Sequence, residues 1–367
     1  MRNIFLTGAT GFLGRYLLRE ILSDEDIIAT VLVRSKRGLN ASQRFESVLK
    51  YLYGGKYKTM SSRVRVIEGE VDSPMLGLDS KTKQTLAKEI DEIYHSAAIA
   101  EFRIPLDIIR KSNVEGTKNL LEFALECKKT GRLRRANHIS TSYVAGICAG
   151  TFRESDLDIG QGFNNTYEQS KFEAELLANE YRKKGLEINI FRPSILIGES
   201  STGKTNNFKM FYQPLHFFNY EIFDAIPANR DAKENLISVD VVTKQIWLIA
   251  NMKDSVNKTF HIVNPSPITA GHFIDIASDF FGFHKPEFVP VENFDMRKLS
   301  NVQRLLIEPF IPYFNYNISF DRSNTDKWLN KISYECPIVD DETLIRLFKF
   351  CAESGYIKPK RHYVTAG

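Results

Sequence analysis

From residue 1 to about residue 197, short apolar runs rich in β-branched residues alternate with longer stretches whose apolar positions recur at helical spacing. The runs Ile4 to Leu6, Ile28 to Val33, Val64 to Ile67, Glu92 to His95, Ala136 to Ser140 and Ile188 to Phe191 predict strands. Phe12 to Leu22, Gln43 to Leu52, Leu106 to Cys127 and Glu168 to Arg182 predict the helices between them. Strand and helix in alternation is the pattern of βαβ units, so the expected fold is α/β, a doubly wound Rossmann-type parallel sheet. After Pro193 this rhythm stops and aromatics and prolines crowd together, as in Phe208, Phe211, Tyr212, Phe217, Phe218, Pro309, Phe310, Pro312, Tyr313 and Phe314. Residues 198–367 are therefore expected to form a smaller, mixed substrate-binding lobe that can also return elements to the sheet.

The first strand runs straight into Thr7-Gly8-Ala9-Thr10-Gly11-Phe12-Leu13-Gly14, which opens the first helix. Glycines at this spacing permit the tight turn, the approach of a pyrophosphate to the backbone and close helix–strand packing, while the helix N-terminus offers free N–H groups to phosphate. An ordinary strand-to-helix turn is the bland alternative, but position and flanking strand favour a dinucleotide. At the end of the second strand, where an NAD site places an acidic residue for the ribose hydroxyl, stands Arg34, followed by Ser35, Lys36 and Arg37. A guanidinium binds a phosphate through paired charge-assisted bonds and has no acceptor for a hydroxyl, so NADP(H) is the expected cofactor.

Tyr167 and Lys171 stand one helical turn apart at the start of a predicted helix. An ammonium beside a phenol is expected to favour tyrosinate, lowering its pKa so that it can exchange a proton with substrate oxygen. Such pairs are common on exposed helices; here the weight comes from Ser140-Thr141-Ser142, ending the fifth strand at the carboxyl edge where open sheets bind ligands. Thr141 is the candidate to hold a substrate carbonyl, with Ser140 and Ser142 as competitors that could instead bond to neighbouring backbone. Asn113, on the preceding helix, could support Lys171 through water or be a buried structural amide.

Composition changes this picture little. With 367 residues, 43% hydrophobic and 26% charged, the chain can bury a full core, and a formal net charge of +4 calls for neither nucleic acid nor an anionic membrane. The basic runs Arg132 to Arg135 and Lys358 to His362 read as solvated surface. Cys127, Cys148, Cys336 and Cys351 lack metal or CxxC spacing and imply free thiols. No apolar stretch is long enough for a membrane span, and a first strand beginning at Asn3 leaves no room for a leader, so a cytoplasmic protein is expected.

A second motif competes. Gly198-Glu199-Ser200-Ser201-Thr202-Gly203-Lys204-Thr205 matches the phosphate-cradling loop of NTPases. The pattern arises by chance in roughly one chain in a hundred of this length, and the apolar strand Leu236 to Asp240 that should carry the magnesium aspartate is interrupted by Ser238. A loop bordering the substrate cleft is the preferred reading.

Taken in order, Thr7 to Gly14, His95-Ser96-Ala97-Ala98, Asn113 to Thr117, Ser140-Thr141, Tyr167 to Lys171 and Phe191-Arg192-Pro193-Ser194 resemble the extended short-chain dehydrogenase family over roughly the first 200 residues. Val31 to Arg34, Gly69 to Asp72 with Pro74 and Leu76 to Leu78, Ser140 to Gly146 and Phe260 to Pro265 look most like its thioester reductase and fatty acyl-CoA reductase branch, the male-sterility branch. The resemblance implies NADPH-dependent reduction of an acyl thioester, held on coenzyme A or on an acyl or peptidyl carrier protein, to an aldehyde or alcohol. It implies Thr141 as the hydroxyl that orients the carbonyl, Tyr167 as the acid and Lys171 as its activator. Cofactor contacts are implied for Thr7, Gly8, Thr10, Gly11, Phe12, Leu13, Gly14, Arg34, Ser35, Lys36, Glu70, Val71, Ala97, Ala98, Asn113, Lys171, Pro193 and Ser194. Glu70 departs from the more usual Asp, which touches only the adenine contact. A sugar-nucleotide epimerase or dehydratase would share Thr141, Tyr167 and Lys171 but keep NAD bound, and a redox-sensing binding protein would use NADPH without turnover.

Overall fold

A computed structural model describes residues 1–360 of the chain. Seven parallel strands form the central sheet: β1 (Arg2–Thr7), β2 (Ile27–Val33), β3 (Val64–Glu68), β4 (Glu92–His95), β5 (Arg135–Ile139), β6 (Ile188–Pro193) and β7 (Thr259–Ile262), in the order β7-β6-β5-β4-β1-β2-β3. The order reverses between β1 and β4, which opens a crevice at their carboxyl ends where Thr7 lies in register with His95.

Alternation along β1 fixes the two faces. Ile4 and Leu6 turn to one side, against Leu17 and Tyr16 of α1 (Phe12–Ile21) and Phe45 of α2 (Ala41–Tyr53). Phe5 turns to the other, against Leu86 of α3 (Ser80–Glu89), Phe123 of α4 (Gly116–Lys129) and Ala178 of α5 (Thr166–Lys183). Between residues 106 and 129 the expected single helix carries a π-turn at Lys111–Glu115, directly before α4.

Past residue 197 the chain returns to the sheet twice. Helix α6 (Val239–Ala250) packs on α1 and contributes Val242, Ile246 and Trp247 to the same core, and β7 adds the edge strand beside β6. The rest forms a lobe around a second core, in which α7 (Ala270–Phe281) and α8 (Asp341–Glu353) enclose Phe273, Phe281, Phe348, Tyr212, Phe218 and Tyr313. Among the described residues all four cysteines are free, and no helix is long and apolar enough to cross a membrane. Lys358 and Lys360 are exposed; Arg361 and His362 of that basic run lie outside the described residues.

Candidate active site

Gly8 has φ +79°, and a β-carbon there would lie 2.5 Å from the Ser96 carbonyl carbon; at Gly14 it would lie 2.1 Å from the Gly8 oxygen. The first and third glycines thus let the loop fold onto β4 and let α1 fold onto the loop. Gly11 caps α1 without a side-chain hydrogen bond, and the first turn holds no acidic residue, so its amides face an uncompensated positive helix end. Beneath it, Arg15 donates from Nε to Gly11 O (3.1 Å) and from Nη2 to Thr10 O (3.0 Å), placing a largely buried cation under the turn. Thr7, expected at the cofactor, is fully buried and turned inward: its hydroxyl meets His95 Nδ1 at 2.8 Å.

Two cavities flank this turn and share Gly11, Ser96 and Ala98. One, of about 160 Å³, is lined by Gly8, Thr10, Arg34, Glu70, Val71, Asp72 and Ala97. At its rim Arg34 Nη1 pairs with Glu70 Oε1 at 2.9 Å, and Arg44, in the first turn of α2, donates to the Arg34 carbonyl. Burial and then Arg34 and Arg37 push the Arg44 pKa down, so the three guanidiniums are neighbours, with Arg34 alone of them lining the cavity. Ser35 turns away to the Glu68 carboxylate, and Lys36 pairs through its backbone with Leu39. The glycine turn and the free helix end fit the phosphates of a dinucleotide.

The second cavity, of about 240 Å³, brings together Phe12, Leu13, Thr141, Tyr167, Lys171, Pro193 and Ser194. Asn165 caps α5 by accepting from Glu168 N, which sets Tyr167 in the first turn and Lys171 one turn later. Both the Tyr167 phenol and Thr141 line this cavity, and Thr141 Oγ1 donates weakly to Pro193 O (3.3 Å) while accepting from Tyr143 N (3.3 Å). Ser194 Oγ donates to Asn235 Oδ1 at 2.6 Å. Lys171 Nζ donates to Ile139 O at 2.8 Å.

The expected lowering of the phenol is not found. Burial pushes Tyr167 up to about 12, opposed by Thr141, because the Lys171 ammonium is spent on a backbone carbonyl rather than aimed at the phenol. Burial in turn pulls Lys171 down to about 8, against the pull of Glu175. His95 is also pulled to about 3 by burial and then by Lys171, and it stays neutral between Thr7 and Thr117.

Asn113 does not reach Lys171. Its amide exchanges bonds with Ile99 N (2.8 Å) and Ile99 O (3.0 Å) and donates to Ser170 Oγ (2.9 Å), so it ties the 96–102 loop to α5 one residue short of the lysine. Ser140 is taken by Glu175 Oε2 (2.7 Å), and Ser142 Oγ is buried without a partner, leaving Thr141 as the hydroxyl of that run facing the cavity.

The Gly198 to Thr205 loop has no phosphate cradle. No helix follows it before Tyr212, Ser200 N is held by Asp240 Oδ1 (2.9 Å), and Lys204 Nζ donates to Tyr51 O (3.2 Å). A β-carbon at Gly203 would strike Arg346 O at 2.3 Å, so its glycine serves packing against α8. Nor do residues 198–205 line the cleft; Asn207, Lys209 and Met210 just beyond them do.

Sequence reasoning missed Arg15, Arg44, Glu168, Glu175 and Tyr313. Only Arg44 left a trace, a cation at the start of the helix that follows the Arg34 run.

The male sterility protein family model matches residues 6–246. The chain is 27% identical to a linear gramicidin synthase subunit of Brevibacillus parabrevis over 96% of its own length, and 31% identical to carboxylic acid reductase of Mycobacterium tuberculosis over 72% of it. It spans only 7% and 25% of those two proteins. The crystal structure of the terminal R domain from the myxalamid PKS-NRPS biosynthetic pathway superposes with a TM-score of 0.84 at 27% identity, covering 98% of this chain and 93% of that one. UDP-glucuronic acid 4-epimerase from Bacillus cereus shares the fold alone, at 18% identity and a TM-score of 0.68 over 96% of this chain and 99% of that one.

Proposed function

The chain belongs to the male sterility protein family, the thioester-reductase branch of the extended short-chain dehydrogenases, and from that premise we propose that it reduces a carrier-protein-bound acyl thioester with NADPH. The observation that carries the proposal is a single cavity holding Thr141, Tyr167 and Lys171 that abuts the glycine turn of the dinucleotide cavity. The convergence of Arg34, Arg37 and Arg44 supports NADPH over NADH. Similarity to part of a linear gramicidin synthase and to an R domain of a PKS-NRPS pathway supports a carrier-bound substrate.

A third cavity, of about 280 Å³, suits the carrier's thiol arm. It shares Ala100, Phe102, Lys209 and Met210 with the catalytic cavity and carries two cations for a phosphate on that arm, Arg103 and Lys209, the latter paired at 2.7 Å with Glu101 of the same lining.

When bound, the nicotinamide supplies hydride to the thioester carbon. Thr141 and Tyr167 hold the carbonyl oxygen as negative charge grows on it. With its pKa near 12 the phenol stays protonated at neutral pH, so Tyr167 donates a hydrogen bond and then its proton. The Lys171 ammonium, released from Ile139 O, stabilises the phenolate left behind. The hemithioacetal then collapses to aldehyde and thiol, and a retained aldehyde can be reduced again to alcohol.

Mixing the protein with NADPH and acyl-pantetheine thioesters, with NADPH absorbance and aldehyde formation as readouts, tests the reading. Tightly held NAD with no thioester-dependent oxidation would favour the epimerase chemistry of the same fold.

A further inference from the structure

Behind the catalytic cavity lies a smaller apolar one, of about 50 Å³. Ile195 and Met210 line both, and Tyr143 stands on the catalytic side of the partition. At about 10–15 Å³ per water-sized group, the inner cavity holds roughly three to five such groups, the size of a short acyl tail. Its walls are aromatic: Phe211, Phe218, Phe273, Phe288, Phe310 and Phe314.

Among these rings is one acidic side chain, Glu234. Its carboxyl is part-buried, and burial pushes it up to about 8; among the described residues no hydrogen bond or ion pair meets it. Burial raises the Tyr143 phenol and Glu234 raises it further, so Glu234 is near a ring that lines the catalytic cavity. A carboxyl left unpaired among apolar side chains is costly unless something arrives to meet it. Aromatic faces around a carboxylate are complementary to an alkylammonium, which gains cation–π contacts and an ion pair together.

We infer that this inner cavity receives acyl tails ending in a protonated amine, with Glu234 as the anion that selects them. The inference rests on the thioester-reductase reading and names its substrate class. A plain alkyl tail fills the same walls but leaves Glu234 unmet, and an anionic tail brings no charge to offset its ionisation. The amine's charge also draws the proton off Glu234, so ligand and carboxylate ionise as a pair.

Two measurements on the full chain decide it. Calorimetry of the cofactor-free protein with n-butylammonium and with n-butanol should show binding of the amine that weakens on the order of tenfold in Glu234→Gln, with butanol indifferent to the substitution. Kinetics with straight-chain acyl-pantetheine thioesters, with and without a terminal amine, should show the amine preferred by a similar factor in kcat/KM, and that ratio collapsing in Glu234→Gln. Equal amine affinity in the two proteins, no amine binding, or alkyl thioesters used as well as their amine counterparts would overturn it. Failure to reduce any thioester would instead count against the reductase reading, and the calorimetry would still decide the role of Glu234.

Discussion

The Tyr313 hydroxyl donates to Glu168 Oε1 at 2.6 Å and accepts from Asn165 Nδ2 at 2.6 Å, so a residue of the C-terminal lobe clamps the first turn of the helix that carries Tyr167. Glu168 is buried, and Asn164 supplies its other bonds. Tyr313→Phe removes one donor from a buried carboxylate, which should cost about 1–3 kcal/mol in denaturant unfolding. It should also lower kcat/KM for thioester, because Tyr167 loses its anchor. Unchanged stability would mean that water replaces the hydroxyl and the clamp is slack.

Tyr167→Phe should leave NADPH binding intact while cutting thioester-dependent oxidation by roughly 10²–10⁴-fold, the range for loss of a positioned proton donor. Stopped-flow turnover beside a fluorescence titration of NADPH separates the two effects. A variant that turned over normally would mean that the proton comes from elsewhere and that Tyr167 and Lys171 are one of the pairs common on exposed helices.

Arg34→Ala and Arg44→Ala should each weaken NADPH about 10–100-fold, since one charge-assisted contact is worth about 1.5–3 kcal/mol, and leave NADH nearly unaffected. The Arg34 effect should be the smaller one if Glu70, its partner at 2.9 Å, competes with phosphate for the guanidinium. Titrations at two salt concentrations check both, because phosphate contacts weaken with ionic strength. Parallel losses for NADH would show that the arginines merely shape the loop.

Glu175 and Arg192 form a fully buried pair, bridged further to Ser140 and His261, that locks α5 onto the ends of β5, β6 and β7. Removing one partner strands the other charge, so Glu175→Ala should cost about 3–5 kcal/mol. Urea unfolding is the readout, and a loss below ~1 kcal/mol would show that solvent reaches the site.

Much of this was legible in the sequence, for identifiable reasons. β-Branched runs against helical spacing located β1 to β6 and α1, because one buried face imposes a strict period; Ile4, Phe5 and Leu6 show it within three residues. The glycine turn and the Tyr167–Lys171 pair are local, so spacing alone exposes them. Three things were hidden because they depend on distant packing. Strand β7 and helix α6 come after a stretch without rhythm, and nothing in Thr259–Ile262 says that it pairs with β6. Thr7 and Asn113 were placed by motif, yet their side chains are claimed by His95 and Ile99. Tyr313 and Glu234 reach the site from elements with no motif of their own.

The buried lysine gives the enzyme opposed pH responses. Lys171 titrates near 8 in the folded protein against an ordinary 10.5, so between those values the unfolded chain binds a proton that the native one has released. Stability from this group therefore rises with pH across that window and is flat below it. Activity runs the other way. The proposed reduction needs Tyr167 protonated, which holds to about 12, and Lys171 charged, which fails above about 8. The kcat/KM profile, which reports the free enzyme, should fall above that point while denaturation midpoints of the same samples shift upward relative to Lys171→Met. In Lys171→Met the activity limb should vanish from the residual rate. Activity and stability declining together through this range would instead mean that the alkaline limb is unfolding, and that Lys171 keeps its proton in the native state.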